Sequence, residues 1–163
     1  MKLLSDVFKT VVKSTPLVSI DLVIEDSLGN ILLGKRINRP AQNNWFVPGG
    51  RILKDEPFET AFKRLIKEEL GLSNVNGNFI GIYQHFYADN FSEDYFSTHY
   101  IVLAYRIMID VELDFLPFDQ HSKYKWFSQQ ELIDDESVHK HSKWYFQENK
   151  QADASLKNKH NLN

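Results

Sequence analysis

"GGRILKDEPFETAFKRLIKEELGL", residues 49–72, joins a glycine pair to an acidic turn and then to a helix-forming run. Phe58, Ala61, Phe62, Leu65 and Ile66 recur at i, i+3, i+4, i+7 and i+8. That spacing is the apolar stripe of an amphipathic helix and predicts one over 57–70. Gly71 closes it as a C-cap. Gly49 and Gly50 let the backbone approach a ligand closely and can turn their carbonyls toward a cation. Glu68 and Glu69 are adjacent, so they point about 100° apart around the helix. Glu69 falls on the apolar stripe and is expected to face inward. A carboxylate aimed at a core needs a partner, and a hard cation is one. Arg64 stands four residues before Glu68 and can brace it. The helix alone is equally compatible with an ordinary amphipathic element whose charges are solvated.

Outward from this segment, strands and helices mix. SDVFKTVVK, residues 5–13, predicts a short helix capped by Ser5 or Asp6 and ended by Pro16. PLVSIDLVIED alternates, with Val18, Ile20, Leu22 and Ile24 on one face and Ser19, Asp21 and Val23 on the other. Gly29 and Asn30 turn the chain into NILLGKR, so residues 17–36 read as a hairpin. RPAQNNWFVPGG is a loop. Strands are expected at 79–87, 98–109 and 124–128, with helices at QQELIDD and 138–150. Residues 1–150 read as one domain, and 151–163 as a polar tail that frays. The expected class is α/β, a mixed sheet between helices.

The chain has 163 residues, 42% of them hydrophobic, enough for one domain with a substantial core. Its net charge is −3 with both signs interspersed. No basic stripe is present to neutralise a nucleic-acid backbone, so a nucleic-acid partner is not expected. There is no cysteine, which excludes disulfides and thiolate zinc sites. The N-terminus does not read as a signal peptide, and no apolar run approaches the roughly 20 residues of a membrane helix. A soluble cytoplasmic protein without membrane contact is expected.

The segment at 49–72 resembles the Nudix signature, G-x5-E-x7-R-E-U-x-E-E-x-G-U, where U is bulky and aliphatic. Gly50, Glu56, Arg64, Ile66, Glu68, Glu69, Gly71 and Leu72 are in register, and Leu65 stands where the signature has glutamate. The resemblance implies a Nudix-type α/β/α sandwich with a mixed sheet between helices. It also implies a magnesium-dependent hydrolase that binds pyrophosphate. The altered box is similar to that of one branch, the GDP-mannose mannosyl hydrolases. STPLVS (14–19), LLGKRINRPAQ (32–42), WFVPGGR (45–51), QHFYADNFS (84–92), THY (98–100) and DQH (119–121) carry that likeness across roughly residues 5–150. That branch hydrolyses GDP-mannose, and GDP-glucose with it. Water attacks the anomeric carbon with inversion, and GDP leaves.

The resemblance assigns the parts residue by residue. Magnesium, with manganese as substitute, is held by the Gly49 carbonyl, Glu69 and Gln120. His121, read as a loop residue after Pro117, is the general base; its ordinary pKa of about 6.5 suits that task. Arg36 and Arg51 stabilise the departing diphosphate, and Arg36 contacts substrate. Asp21 assists the cationic transition state at the sugar. His85 and Tyr100 contact the leaving group. Lys2, Leu3 and Phe8 match nucleotide-contacting positions, and the branch is homodimeric. Two other readings stay open: a conventional Nudix pyrophosphohydrolase attacking phosphorus, for which Glu68 is retained, and a noncatalytic nucleotide sensor.

Overall fold

The computed structural model describes residues 3–155. Helix α1 (Ser5–Ser14) leads into β1 (Leu17–Glu25), the strand around which the sheet is built. Next come β2 (Ile31–Arg36), β3 (Trp45–Phe46), β4 (Gly49–Arg51) and helix α2 (Phe58–Leu70). The chain continues through β5 (Asn78–Tyr87), β6 (Thr98–Met108), β7 (His121–Phe127), α3 (Gln129–Asp134) and α4 (Lys140–Lys143). The central order is β3-β2-β1-β6-β5, with β4 also on β1 and β7 also on β2. β1 and β6 run parallel from Leu17↔Tyr100 to Glu25↔Met108, while the other pairs are antiparallel. The sheet is therefore mixed.

The sheet is covered on both faces, which makes the layers helix, sheet, helix. On one face Ile20, Leu22, Ile24 and Leu32 pack against Ala61, Leu65, Ile66 and Leu70 of α2. On the other, Val23, Ile31, Leu33 and Phe127 pack with Leu132 of α3 and Val138. This explains why β1 is buried on both faces from Ser19 to Ile24, where alternation predicted two unlike faces. A strand flanked by a parallel neighbour inside a sandwich has no solvated side. Val18 is the exception, at 43% exposed.

The hairpin is real but short. β1 and β2 pair at Glu25↔Ile31 beside the turn, and then diverge. Lower down, β1 pairs with β4 through Ser19–Asp21, and β2 pairs with β3 through Gly34 and Lys35. That parting of two adjacent strands leaves room for a cavity between Asp21 and Arg36.

Five expectations change. The stretch read as a loop, RPAQNNWFVPGG, carries β3 and β4, because β2 and β1 each offer it an edge to pair with. Helix α1 begins after Leu4 without a side-chain cap, so neither Ser5 nor Asp6 caps it. Helix 138–150 shrinks to α4, because the segment is anchored by its backbone to β3: Trp45 N–H donates to Ser137 O and His139 N–H to Trp45 O. The first residues of the expected frayed tail are docked: Ala154 bridges Ile82 of β5, and Asp153 accepts from the Gln84 amide. The strand predicted at 124–128 begins three residues earlier, at His121, paired with Arg36.

Candidate active site

The cavity holds about 300 Å³. Its wall brings together Asp21, Arg36, Gly49, Arg51, Glu69, His85, Tyr100 and Gln120, eight of the residues singled out in the sequence, from five strands, one helix and a loop. Phe8 is connected to it through Arg51, whose guanidinium lies 4.1 Å over the Phe8 ring. Phe91 packs on the same ring at 4.7 Å. Leu3 is exposed and outside the wall, and Lys2 lies outside the described residues.

Helix α2 presents its charges in two groups. Arg64 forks onto Glu56, with Nε to Oε1 at 2.7 Å and Nη2 to Oε2 at 2.8 Å. It also reaches Glu68 at 2.8 Å and the Arg51 carbonyl at 2.9 Å. This arginine is therefore a strut joining β4 to α2, and it braces Glu68 rather than Glu69. The same fork holds the Glu56 carboxyl down to about 2. Glu69 faces the other way, as the stripe predicted, and is 5% exposed. Burial raises its carboxyl to about 7, against the opposing pull of the Arg36 charge and the Gly49 amide. Its Oε2 has no hydrogen-bond partner among the described residues.

That orphaned oxygen is the test of whether a cation fits. A buried carboxylate oxygen without a donor is costly unless something positive meets it. The Gly49 amide donates to Glu69, which puts that residue's carbonyl within the same stretch of wall, and Gln120, whose Oε1 accepts from Asn38 Nδ2 at 3.3 Å, shares the wall. A carbonyl, a carboxylate and an amide are the oxygen donors a hard divalent ion takes, with water and substrate filling its other positions. No cluster of three or more His, Cys, Asp or Glu side chains suited to a metal is found among the described residues. The residues fit magnesium or manganese.

Leu65 occupies the place of the missing glutamate. It is 2% exposed, and a Cβ on Gly50 would come within 2.6 Å of its Cδ2. The side chain thus fills the space under the glycine strand with hydrocarbon.

His121 is not on an open loop. It begins β7, is 2% exposed, and lies outside the cavity wall, directly after Gln120. Its ring packs on Gly34, where an added Cβ would meet Cδ2 at 2.4 Å. Burial, helped by the Arg36 charge, lowers its pKa to about 4, so the ring is neutral. Nδ1 stands 3.2 Å from the Tyr124 hydroxyl and 3.7 Å from Glu69 Oε2. The Tyr124 O–H donates to the Pro117 carbonyl, so its oxygen can only accept from His121. That places the proton on Nδ1 and leaves the Nε2 lone pair free, the tautomer a base requires.

Asp21 is 6% exposed; burial raises its carboxyl to about 7, while Tyr145 and the Arg36 charge pull it down. The Tyr145 hydroxyl donates to its Oδ2 at 2.6 Å. His85 is buried and neutral, its pKa lowered to about 3 by burial. It stacks on His141 at 4.1 Å and 14°. Tyr145 and His141 come from the stretch read as a plain helix, and no pattern in the sequence marked them. Ser19, Phe46 and Tyr87 of the wall were also missed. Ser19 and Tyr87 could have been placed by alternation, since they share strand faces with Asp21 and His85.

A model of the NUDIX domain family matches residues 15–147. The low-salt glycan biosynthesis protein Agl8 of Haloferax volcanii is 39% identical over 125 residues, covering 75% of this chain and 77% of its own length. The crystal structure of a MutT NUDIX hydrolase from Burkholderia pseudomallei is 27% identical with a TM-score of 0.65, covering 79% of this chain and 94% of that one. The NUDIX domain of Shewanella oneidensis NrtR, solved with ADP ribose, shares the fold at 18% identity and a TM-score of 0.60, over 77% of this chain and 80% of that one.

Proposed function

From the premise that this chain belongs to the NUDIX domain family, we propose that it hydrolyses GDP-mannose, and GDP-glucose with it, to GDP and free sugar, water attacking the anomeric carbon with inversion. The observation that carries this reading is Leu65. With hydrocarbon under Gly50 and Glu68 tied to Arg64, α2 offers one buried inward carboxylate, Glu69. That suffices to anchor a cation on a diphosphate and leaves Glu68, engaged by Arg64, as the other α2 carboxylate at the cavity wall. The name of the Agl8 protein supports a place in glycan chemistry.

Gly49, Glu69 and Gln120 would hold the magnesium, which when bound neutralises charge on the diphosphate. Arg36 and Arg51 receive the same oxygens through their guanidinium forks. His85 and Tyr100, neighbours across β5 and β6, line the leaving-group side. Asp21 sits where a developing oxocarbenium charge would gain from a carboxylate. His121 takes the proton of the attacking water on Nε2, the ring nitrogen that its Tyr124 contact leaves free. Lys2, Leu3 and Phe8 contact the nucleotide. A homodimer in the cytoplasm completes the proposal; Leu4, just before α1, and Val7 within it are exposed, and no described helix is long and apolar enough to cross a membrane.

Glu68 lines the same cavity and favours a second reading, conventional attack at phosphorus on a nucleotide sugar. Turnover of GDP-mannose with magnesium in ¹⁸O-water separates the two. Label in free mannose, with the β-anomer emerging first, supports attack at carbon; label on phosphorus, in the guanosine nucleotide or in mannose 1-phosphate, overturns it.

A further inference from the structure

Tyr145 follows α4, far in sequence from the segment that carries the glycines and the acidic helix. Its backbone neighbourhood is nevertheless tied to that segment. Val138 bridges Trp45, and the buried Ser142 hydroxyl accepts from the Val47 amide at 3.0 Å. Lys143 Nζ donates to the Ile133 carbonyl at 2.7 Å. The Tyr145 ring packs edge-on to Tyr83 at 4.8 Å. The phenol is thus held from several sides, and its hydroxyl ends 2.6 Å from Asp21 Oδ2. Asp21 Oδ1 lies on the Gly49 side, 3.1 Å from where a Cβ on that glycine would stand. One carboxyl oxygen is engaged by Tyr145, which lies outside the cavity wall, and the other lies beside Gly49, which is part of that wall.

We infer that Tyr145 is a positioning residue, fixing the Asp21 carboxyl by its rear oxygen so that the forward oxygen meets the sugar. The inference rests on the reading of Asp21 as the group facing the sugar. A buried carboxylate that swung freely would spend its charge on Arg36 or on the cation site. A rigid phenol donor removes that freedom and directs the charge at the reacting carbon. Misplacement of about 1 Å is worth on the order of 10²-fold in rate.

Tyr145→Phe keeps the ring and its packing and removes only the donor. With GDP-mannose and magnesium, kcat is expected to fall about 10- to 100-fold with KM within about twofold. In an Asp21→Asn background the same change should cost nothing further, because Tyr145 acts through Asp21. An unchanged kcat, or a loss that adds in full to that of Asp21→Asn, overturns the inference. A readout without substrate keeps it separate from the proposed activity. In protein carrying 3-fluorotyrosine, the Tyr145 fluorine resonance, assigned through Tyr145→Phe, should shift on Asp21→Asn. If wild type fails to cleave GDP-mannose, the substrate reading falls, and the fluorine signal decides this one: a shift supports the held pair, and an unmoved resonance overturns it.

Discussion

Replacing Glu69 with glutamine tests the site at its most constrained atom. In the cation-free protein Glu69 is nearly buried, one oxygen has no partner among the described residues, and its carboxyl is raised to about 7 from 4.5, chiefly by burial. A folded value above the unfolded one means that ionisation opposes folding. The penalty is absent below pH 4.5, grows through the interval, and is complete above pH 7. The interval of 7 − 4.5 at 1.36 kcal/mol per pH unit is about 3 kcal/mol. Glutamine cannot ionise. In EDTA at pH 8, Glu69→Gln is therefore expected to be more stable than wild type by about 1–3 kcal/mol, part being lost to an imperfectly paired amide. At pH 4.5 that advantage should disappear, leaving the variant no more stable than wild type. Magnesium should reverse the order at pH 8, because wild type gains RT ln(1 + [Mg]/Kd) and the variant gains far less. Urea unfolding at the two pH values, with EDTA and with magnesium, reads all four quantities. A variant less stable than wild type at pH 8 in EDTA, or equally stabilised by magnesium, would refute the assignment of Glu69 as a desolvated cation ligand.

His121→Gln should lower kcat by ~10²–10⁴ with little change in GDP-mannose affinity by calorimetry; a near-normal rate removes it from the role of base. Gly34→Ala puts a methyl into the His121 ring, so it should cost about 1–3 kcal/mol in urea unfolding and depress kcat as His121→Gln does. His85 and His141 are buried neutral, lowered by burial to about 3 and about 2. Below the unfolded value near 6.5 the unfolded chain takes up protons that these rings refuse, so stability should fall as pH drops from 6.5 toward 3 and be indifferent to them above pH 7. His141→Phe should recover about 2 kcal/mol of the loss at pH 5, measured against wild type across the same pH series.

The segment at 49–72 was legible because a helix face and a C-cap are local. Period, cap and charge placement put Glu69 inward, and the structure finds it there. The assignment of Arg64 was half legible: its reach to Glu68 follows from helix geometry, whereas Glu56 is brought under the same guanidinium only by the turn before the helix. His121 was misplaced because Gln120 and His121 follow a proline in a polar setting. Pairing with Arg36, 85 residues earlier, turned that stretch into a buried strand start.

By itself, then, the sequence determined the family resemblance, the acidic helix and the kinds of group available, since each depends on neighbours within about two turns or on a fixed spacing. The tertiary structure decided which groups share one cavity. The parting of β1 from β2 sets Asp21 opposite Arg36, and the anchoring of residues 137–145 to β3 brings Tyr145 and His141 behind Asp21 and His85. The Asp21–Tyr145 contact joins residues 124 positions apart through packing and sheet register, and a sheet's register follows from all its strands together rather than from any one of them.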